Sequence, residues 1–250
     1  LNLTLGDVVQ GALNDCWFLS ACAVVAGAGS AAENEAEVAT KKAKVAMAEG
    51  RANDAKALER QAALHRKRAD KQGCADSMNR IFFNRQYAAQ GLYAVQFFKN
   101  GQWRTVIVDD RIPCYADHKT QRHRPIFGRS RDPDEIWVMI IEKAYAKLHG
   151  CYEALNGGDI DYALRDLTGG APHEIQLHKD TEIKKDSASG ALWEMFEKMT
   201  DDGHNILMGA AIITPNTPDD VCPMPIHGLM PDHAYSLLEV NRHAVANDVL

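Results

Sequence analysis

The string Gln10 to Ala21, QGALNDCWFLSA, constrains this chain more than any other stretch. Asn14 and Asp15 are residue types that start helices, and Trp17-Phe18-Leu19 is a run suited to a buried element. The spacing predicts a helix that begins at Cys16 and enters the core at once. A first-turn cysteine meets free backbone N–H groups and the positive end of the helix dipole. Both favour thiolate, the reactive form of cysteine. Gln10, six residues upstream, offers a neutral side-chain N–H of the kind that stabilises a developing oxyanion. From helix position alone, Cys16 also fits the ordinary fate of a free cysteine, a small buried hydrophobe.

A second stretch supplies a matching base. Asp232 to Val240, DHAYSLLEV, reads as an alternating strand that His233 begins. Alone, such a histidine is most simply a hydrogen-bonded structural group. Paired with an activated cysteine it has a task, because the nucleophile needs a base to take its proton and an acid to return it to a leaving amine. Histidine titrates near neutrality and suits both.

Other function classes find little support. Net charge is −6, so no global basic footprint points to nucleic acid. No apolar run approaches the roughly 18–20 residues of a membrane span. The six cysteines are scattered without a C-x-x-C pair and read as reduced thiols of a cytoplasmic protein. Leu1 is not methionine and no leader precedes Leu3, so the chain reads as part of something longer.

Between the two stretches, the first helix is expected to end in the small residues Gly27-Ala28-Gly29. Ser30 to Gly73 is rich in Ala, Glu, Lys and Arg. Alanines 32, 36, 39, 43 and 46 form one heptad-like seam, and Ala55, Leu58, Ala62, His65 and Ala69 form another. Gly50 and Asn53-Asp54 lie where the seams fall out of phase, which predicts an antiparallel hairpin over roughly 31–49 and 53–71. One continuous helix is the alternative. Basic residues on the second arm (Arg60, Arg66, Lys67, Arg68, Lys71) suit a solvated face, and would also suit an acidic partner. Strands are expected at Leu92–Phe98 and Trp103–Asp109, joined through Asn100-Gly101. A polar loop with His118 and His123 is expected over 115–131, then helices over 134–148 and 188–199 and a strand over 206–214.

Five ordered motifs give a family resemblance. QGALNDCWFL resembles the active-site segment of the calpain family of papain-like cysteine peptidases, Q-G-x-L-x-D-C-W-x-L. WRTVIVDDRIP (103–113), IWVMIIEKAYAKLHGCYEALNGG (136–158), DLTGG (166–170) and DHAYS (232–236) resemble its later motifs in the same order. The resemblance implies an α+β fold of two lobes. A helix-rich first lobe, 1–178, carries the inserted hairpin at 30–73, and a strand-rich second lobe, 179–250, is incomplete at its C-terminus. It implies Cys16 as nucleophile, His233 as acid and base, and Gln10 with the Cys16 backbone N–H as oxyanion hole. An amide bond in a protein or peptide substrate is then cleaved through a thioester.

Departures are specific. The family's Asn that orients the histidine sits in an N-P-W motif beyond Leu250, and Asp232 replaces the Gly before the histidine. The resemblance also implies Ca²⁺, with Asp7 and Glu153 matching first-lobe carboxylates, though Leu5 replaces an Arg that ties the lobes together. No organic cofactor is expected. A second function stays open: a catalytically weak binding or scaffold module that meets a protein partner through 30–73.

Overall fold

The computed structural model describes residues 8–71, 78, 80–117, 122–177, 181–201, 206–212, 228–238 and 240. Helix and strand are mixed, as expected of an α+β fold. The helices are α1 (Cys16–Ala48), α2 (Ala52–Lys71), α3 (Trp137–His149), α4 (Ile160–Thr168), α5 (Thr181–Ser189) and α6 (Ala191–Asp201). The strands are β1 (Val8–Val9), β2 (Leu92–Lys99), β3 (Gln102–Asp109), β4 (Cys114–Asp117), β5 (Arg122–Pro125), β6 (Arg129–Ser130), β7 (Met208–Ile212) and β8 (His233–Leu237).

The strands form four antiparallel pairs: β1 with β6, β2 with β3, β4 with β5, and β7 with β8. Asn100 and Gly101 both adopt positive φ, 53° and 76°, as a two-residue type I′ turn demands, and fix the β2–β3 register with Lys99 opposite Gln102.

The core forms around the start of α1. Phe18 is fully buried and its ring stacks on Tyr145 of α3 at 4.1 Å. Trp17 meets the same tyrosine edge-on at 6.0 Å. Ile140, Ile141, Val95, Phe97, Leu155 and Leu167 belong to the same cluster, so the run after Cys16 is buried as its composition dictates.

Three expectations change. The first helix does not stop at Gly27–Gly29: α1 runs unbroken from Cys16 to Ala48 and becomes the first arm of the hairpin. Two interior glycines cost about 1 kcal/mol each, which an alanine-rich helix without proline tolerates. The turn falls at Gly50, φ 77°, and α2 returns antiparallel, so the hairpin forms and the single long helix does not. Ala39, Ala43, Ala46, Ala55 and Ala62 are buried in the seam. The side chains of Ala32, Ala36, His65 and Ala69 lie outside the described residues.

The polar stretch expected as a loop over 115–131 is mostly a ribbon, with His123 on β5 opposite Ala116. His118 lies outside the described residues. The helix expected over 188–199 is two, broken at Gly190, φ 85°. Among the described residues no helix is long and apolar enough to cross a membrane.

Candidate active site

Cys16 is the first residue of α1 and is 8% exposed. Its N–H, like that of Trp17, stands at the helix start, ahead of the first intrahelical bonds. Asp15 stands at the N-cap and its carbonyl accepts the N–H groups of Phe18 (2.9 Å) and Leu19 (3.1 Å). Asn14 bonds on both sides to one loop. Its N–H donates to the Asn156 side-chain oxygen at 3.0 Å, and its carbonyl accepts the Gly157 N–H at 2.8 Å. Trp17 donates its indole N–H to the Leu155 carbonyl at 3.0 Å. Gly158 lies against the face of that indole, where an added Cβ would come within 2.5 Å. The residues around Cys16 are thus tied to 155–158.

The other flank is as tightly held. The Ala12 N–H donates to the Ile126 carbonyl at 2.9 Å. A Cβ on Gly11 would lie 2.2 Å from the Phe127 carbonyl carbon, so only glycine allows these backbones to approach. Gln10 donates one Nε2 proton to the Leu13 carbonyl at 2.8 Å, which folds its side chain back over its own turn. An amide nitrogen carries a second N–H, and that proton is the one an oxyanion could use.

His233 opens β8, opposite Ile212 of β7, and is half-buried. Its ring meets Tyr235 edge-on at 5.1 Å. Asp232 before it is exposed, holds φ at 51° and donates its N–H to the Ile212 carbonyl at 2.7 Å.

Strand and nucleophile helix are joined by a reciprocal pair of bonds. Ser20 Oγ donates to the Ala234 carbonyl, and Ser236 Oγ donates to the Ser20 carbonyl, each at 2.9 Å. Ser20 sits one turn beyond Cys16 on the same face of α1, and Ala234 directly follows His233. The structure therefore brings the start of β8 to the start of α1. A thiol and an imidazole on these two elements can pass a proton and attack a carbonyl.

The resemblance implies two carboxylates for Ca²⁺, and one of them is described. Asp7 lies outside the described residues, and Glu153 is an exposed residue of the 3-10 turn Tyr152–Leu155. Among the described residues no three His, Cys, Asp or Glu side chains gather as a metal ion would need.

Sequence reading did not pick out the Ser20–Ser236 latch. Ser20 looks like one more small residue in a buried helix, and nothing local reveals a partner more than 200 positions away. It also passed over Glu142, buried behind Asp15. That signal was legible: Val138, Ile141, Glu142 and Tyr145 follow helical spacing, so a carboxyl stands in an apolar stripe.

Residues 72–249 match the family described as calpain family cysteine protease. The chain is 36% identical over 234 residues to the calpain-type cysteine protease ADL1 of Oryza sativa subsp. japonica, covering 94% of this chain and 8% of that protein. It is 35% identical to the calpain-type cysteine protease DEK1 of Zea mays, with the same coverage. With calpain-9 of Rattus norvegicus it shares 31% identity over 243 residues, 96% of this chain and 26% of the relative. The chain thus spans a small part of the length of the curated relatives it matches.

Proposed function

The chain belongs to the calpain family of cysteine proteases, and we propose that it is the catalytic core of an intracellular endopeptidase that makes limited cuts in protein substrates. In this reading the Cys16 thiolate attacks the scissile carbonyl and the Cys16 and Gln10 N–H groups take up the charge on oxygen. His233 protonates the leaving amine, a thioester remains on Cys16, and His233 then deprotonates the water that hydrolyses it. Substrate would lie between a first lobe, 1–178, and a second, 179–250.

The observation that carries this reading is the Ser20–Ala234–Ser236 latch, which joins the turn bearing Cys16 to the strand bearing His233. The test is labelling by a peptidyl epoxide, mapped by peptide mass and repeated over a calcium series. We expect one modified cysteine, lost in Cys16→Ser. Absence of Cys16-dependent labelling at every calcium concentration would end the proposal. Dependence of labelling on calcium would add regulation, with Asp7 and Glu153 as the first carboxylates to replace.

One observation favours a second reading, a binding or scaffold role for the hairpin. The arm is continuous with the helix that carries Cys16, and Val45 and Met47 near its tip are 54% and 59% exposed. Unchanged partner sets after deletion of 31–72 would remove it.

A further inference from the structure

Asp15 is an N-cap aspartate that does not cap. Its side chain makes no hydrogen bond to the first turn of α1 and is 0% exposed. Neither of its oxygens receives an N–H or a hydroxyl. The group it faces within hydrogen-bonding contact is another carboxyl, Glu142 of α3, itself 1% exposed. Two carboxyls can bond to each other only with a proton between them.

Glu142 is held from a third side. Its Oε1 accepts the Gly128 N–H at 3.0 Å, and a Cβ on Gly128 would come within 3.1 Å of the same oxygen. Gly128 follows Ile126 and Phe127, the backbone against which Gly11 and Ala12 pack. A closed circuit results: Gln10–Gly11 to 126–127, Gly128 to Glu142, Glu142 to Asp15, and Asp15 to Cys16.

We propose that Glu142, sharing one proton with Asp15, is a positioning residue that holds Cys16 and the Gln10–Gly11 turn in one fixed relation. The proposal rests on the nucleophile reading of Cys16 given above. The proton has a second effect. A doubly ionised pair would set two negative charges behind the thiolate, whereas the shared proton leaves one.

The groups facing Glu142 from each neighbouring element agree. Asp15 and Cys22 approach from α1, Tyr152 from the 3-10 turn, and the Gly128 N–H from its loop. None of these is cationic, so among the described residues none of the groups named compensates a second charge. Burial pushes Glu142 up to about 9, with the bond and charge of Asp15 adding to it. Burial also raises Asp15. Cys22 goes well above its usual value, through burial first and then through these two carboxyls.

The test uses the full chain and two replacements. Gln keeps an oxygen for Gly128 and an N–H for Asp15 but cannot ionise, while Ala removes both bonds. The rate constant for Cys16 inactivation by a peptidyl epoxide is measured with the binding constant of the same reagent. Thermal midpoints are measured from pH 5 to 10. We expect Glu142→Ala to slow inactivation by about 10²-fold, the usual scale for a nucleophile misplaced by an ångström, with binding little changed. Glu142→Gln should restore the rate and flatten the decline of the midpoint with pH.

Equal loss in both variants, or no loss in Glu142→Ala, would overturn the proposal. So would a midpoint profile in Glu142→Gln that matches the wild type. If the wild-type chain showed no Cys16 labelling, the nucleophile reading would fall and the positioning role with it. A flattened profile in Glu142→Gln would then locate that failure in the reading, not in the carboxyl pair.

Discussion

Ser236 donates its hydroxyl to the Ser20 carbonyl at 2.9 Å, while Ser20 donates its own to the carbonyl beside His233. A helix carbonyl that accepts a side chain from a strand far along the sequence is a directional tie, and here it joins the two elements that bear the candidate pair. Each bond is worth about 1 kcal/mol net. Ser20→Ala and Ser236→Ala should each destabilise by about that amount in urea unfolding, and the double variant by less than the sum. Epoxide labelling of Cys16 should slow more than stability alone explains, because the histidine strand loses its anchor. Full labelling rates in the double variant would show that the latch is only structural.

Gly11→Ala should be more damaging than its exposure suggests. The new Cβ would stand 2.2 Å from a backbone carbon of residue 127, and neither backbone has a flexible end that can yield. Overpacking of this kind costs about 1–3 kcal/mol and shifts the chain locally. A matching Gly50→Ala change meets nothing within 4 Å and bears only the cost of its positive φ, 77°. Comparing the two unfolding midpoints checks the argument, and Gly11→Ala should also lower Cys16 labelling.

Much of this architecture was legible because it is local. The helix start at Cys16, the Asn-Gly hairpin and the alanine seams each follow from a few adjacent residues. What escaped was set by long-range contact or by residues with two uses. Gly27 and Gly29 end many helices but continue this one. Asp15 looked like a cap and instead points its carboxyl at Glu142. Neither outcome could be read without knowing what packs against it.

The hairpin should yield to overpacking without disturbing the core. Ala43 is 3% exposed in the α1–α2 seam, so a larger side chain there has to displace the groups that cover its methyl. Ala43→Leu is expected to splay the arms, seen as faster amide exchange over 39–62. The first turns of α1 are held by other contacts, Phe18 on Tyr145 and Ser20 on Ala234, so exchange near Val24 and Val25 should not change. Faster exchange there would mean that α1 transmits the change along its length.

The carboxyl pair sets the sign of one pH effect. Glu142 holds its proton up to about 9 in the folded chain, while an unfolded glutamate releases it near 4.3. A group whose folded value is raised contributes stability that is complete below the unfolded value. That contribution is lost as pH rises, since the unfolded chain sheds a proton that the native chain keeps. Between roughly pH 4.3 and 9 the loss can reach about 1.4 kcal/mol per pH unit, and it levels off above the folded value. Asp15, also raised, acts in the same direction. Glu142→Gln removes the main titration and retains both bonds, so the variant should gain on the wild type as pH climbs from 5 to 9. Urea unfolding at unit intervals of pH reads the difference, which belongs to the pair, since the titration of Asp15 changes with its partner. A constant difference across that range would mean that Glu142 is ionised in the native state, with Asp15 facing a charge and not a proton.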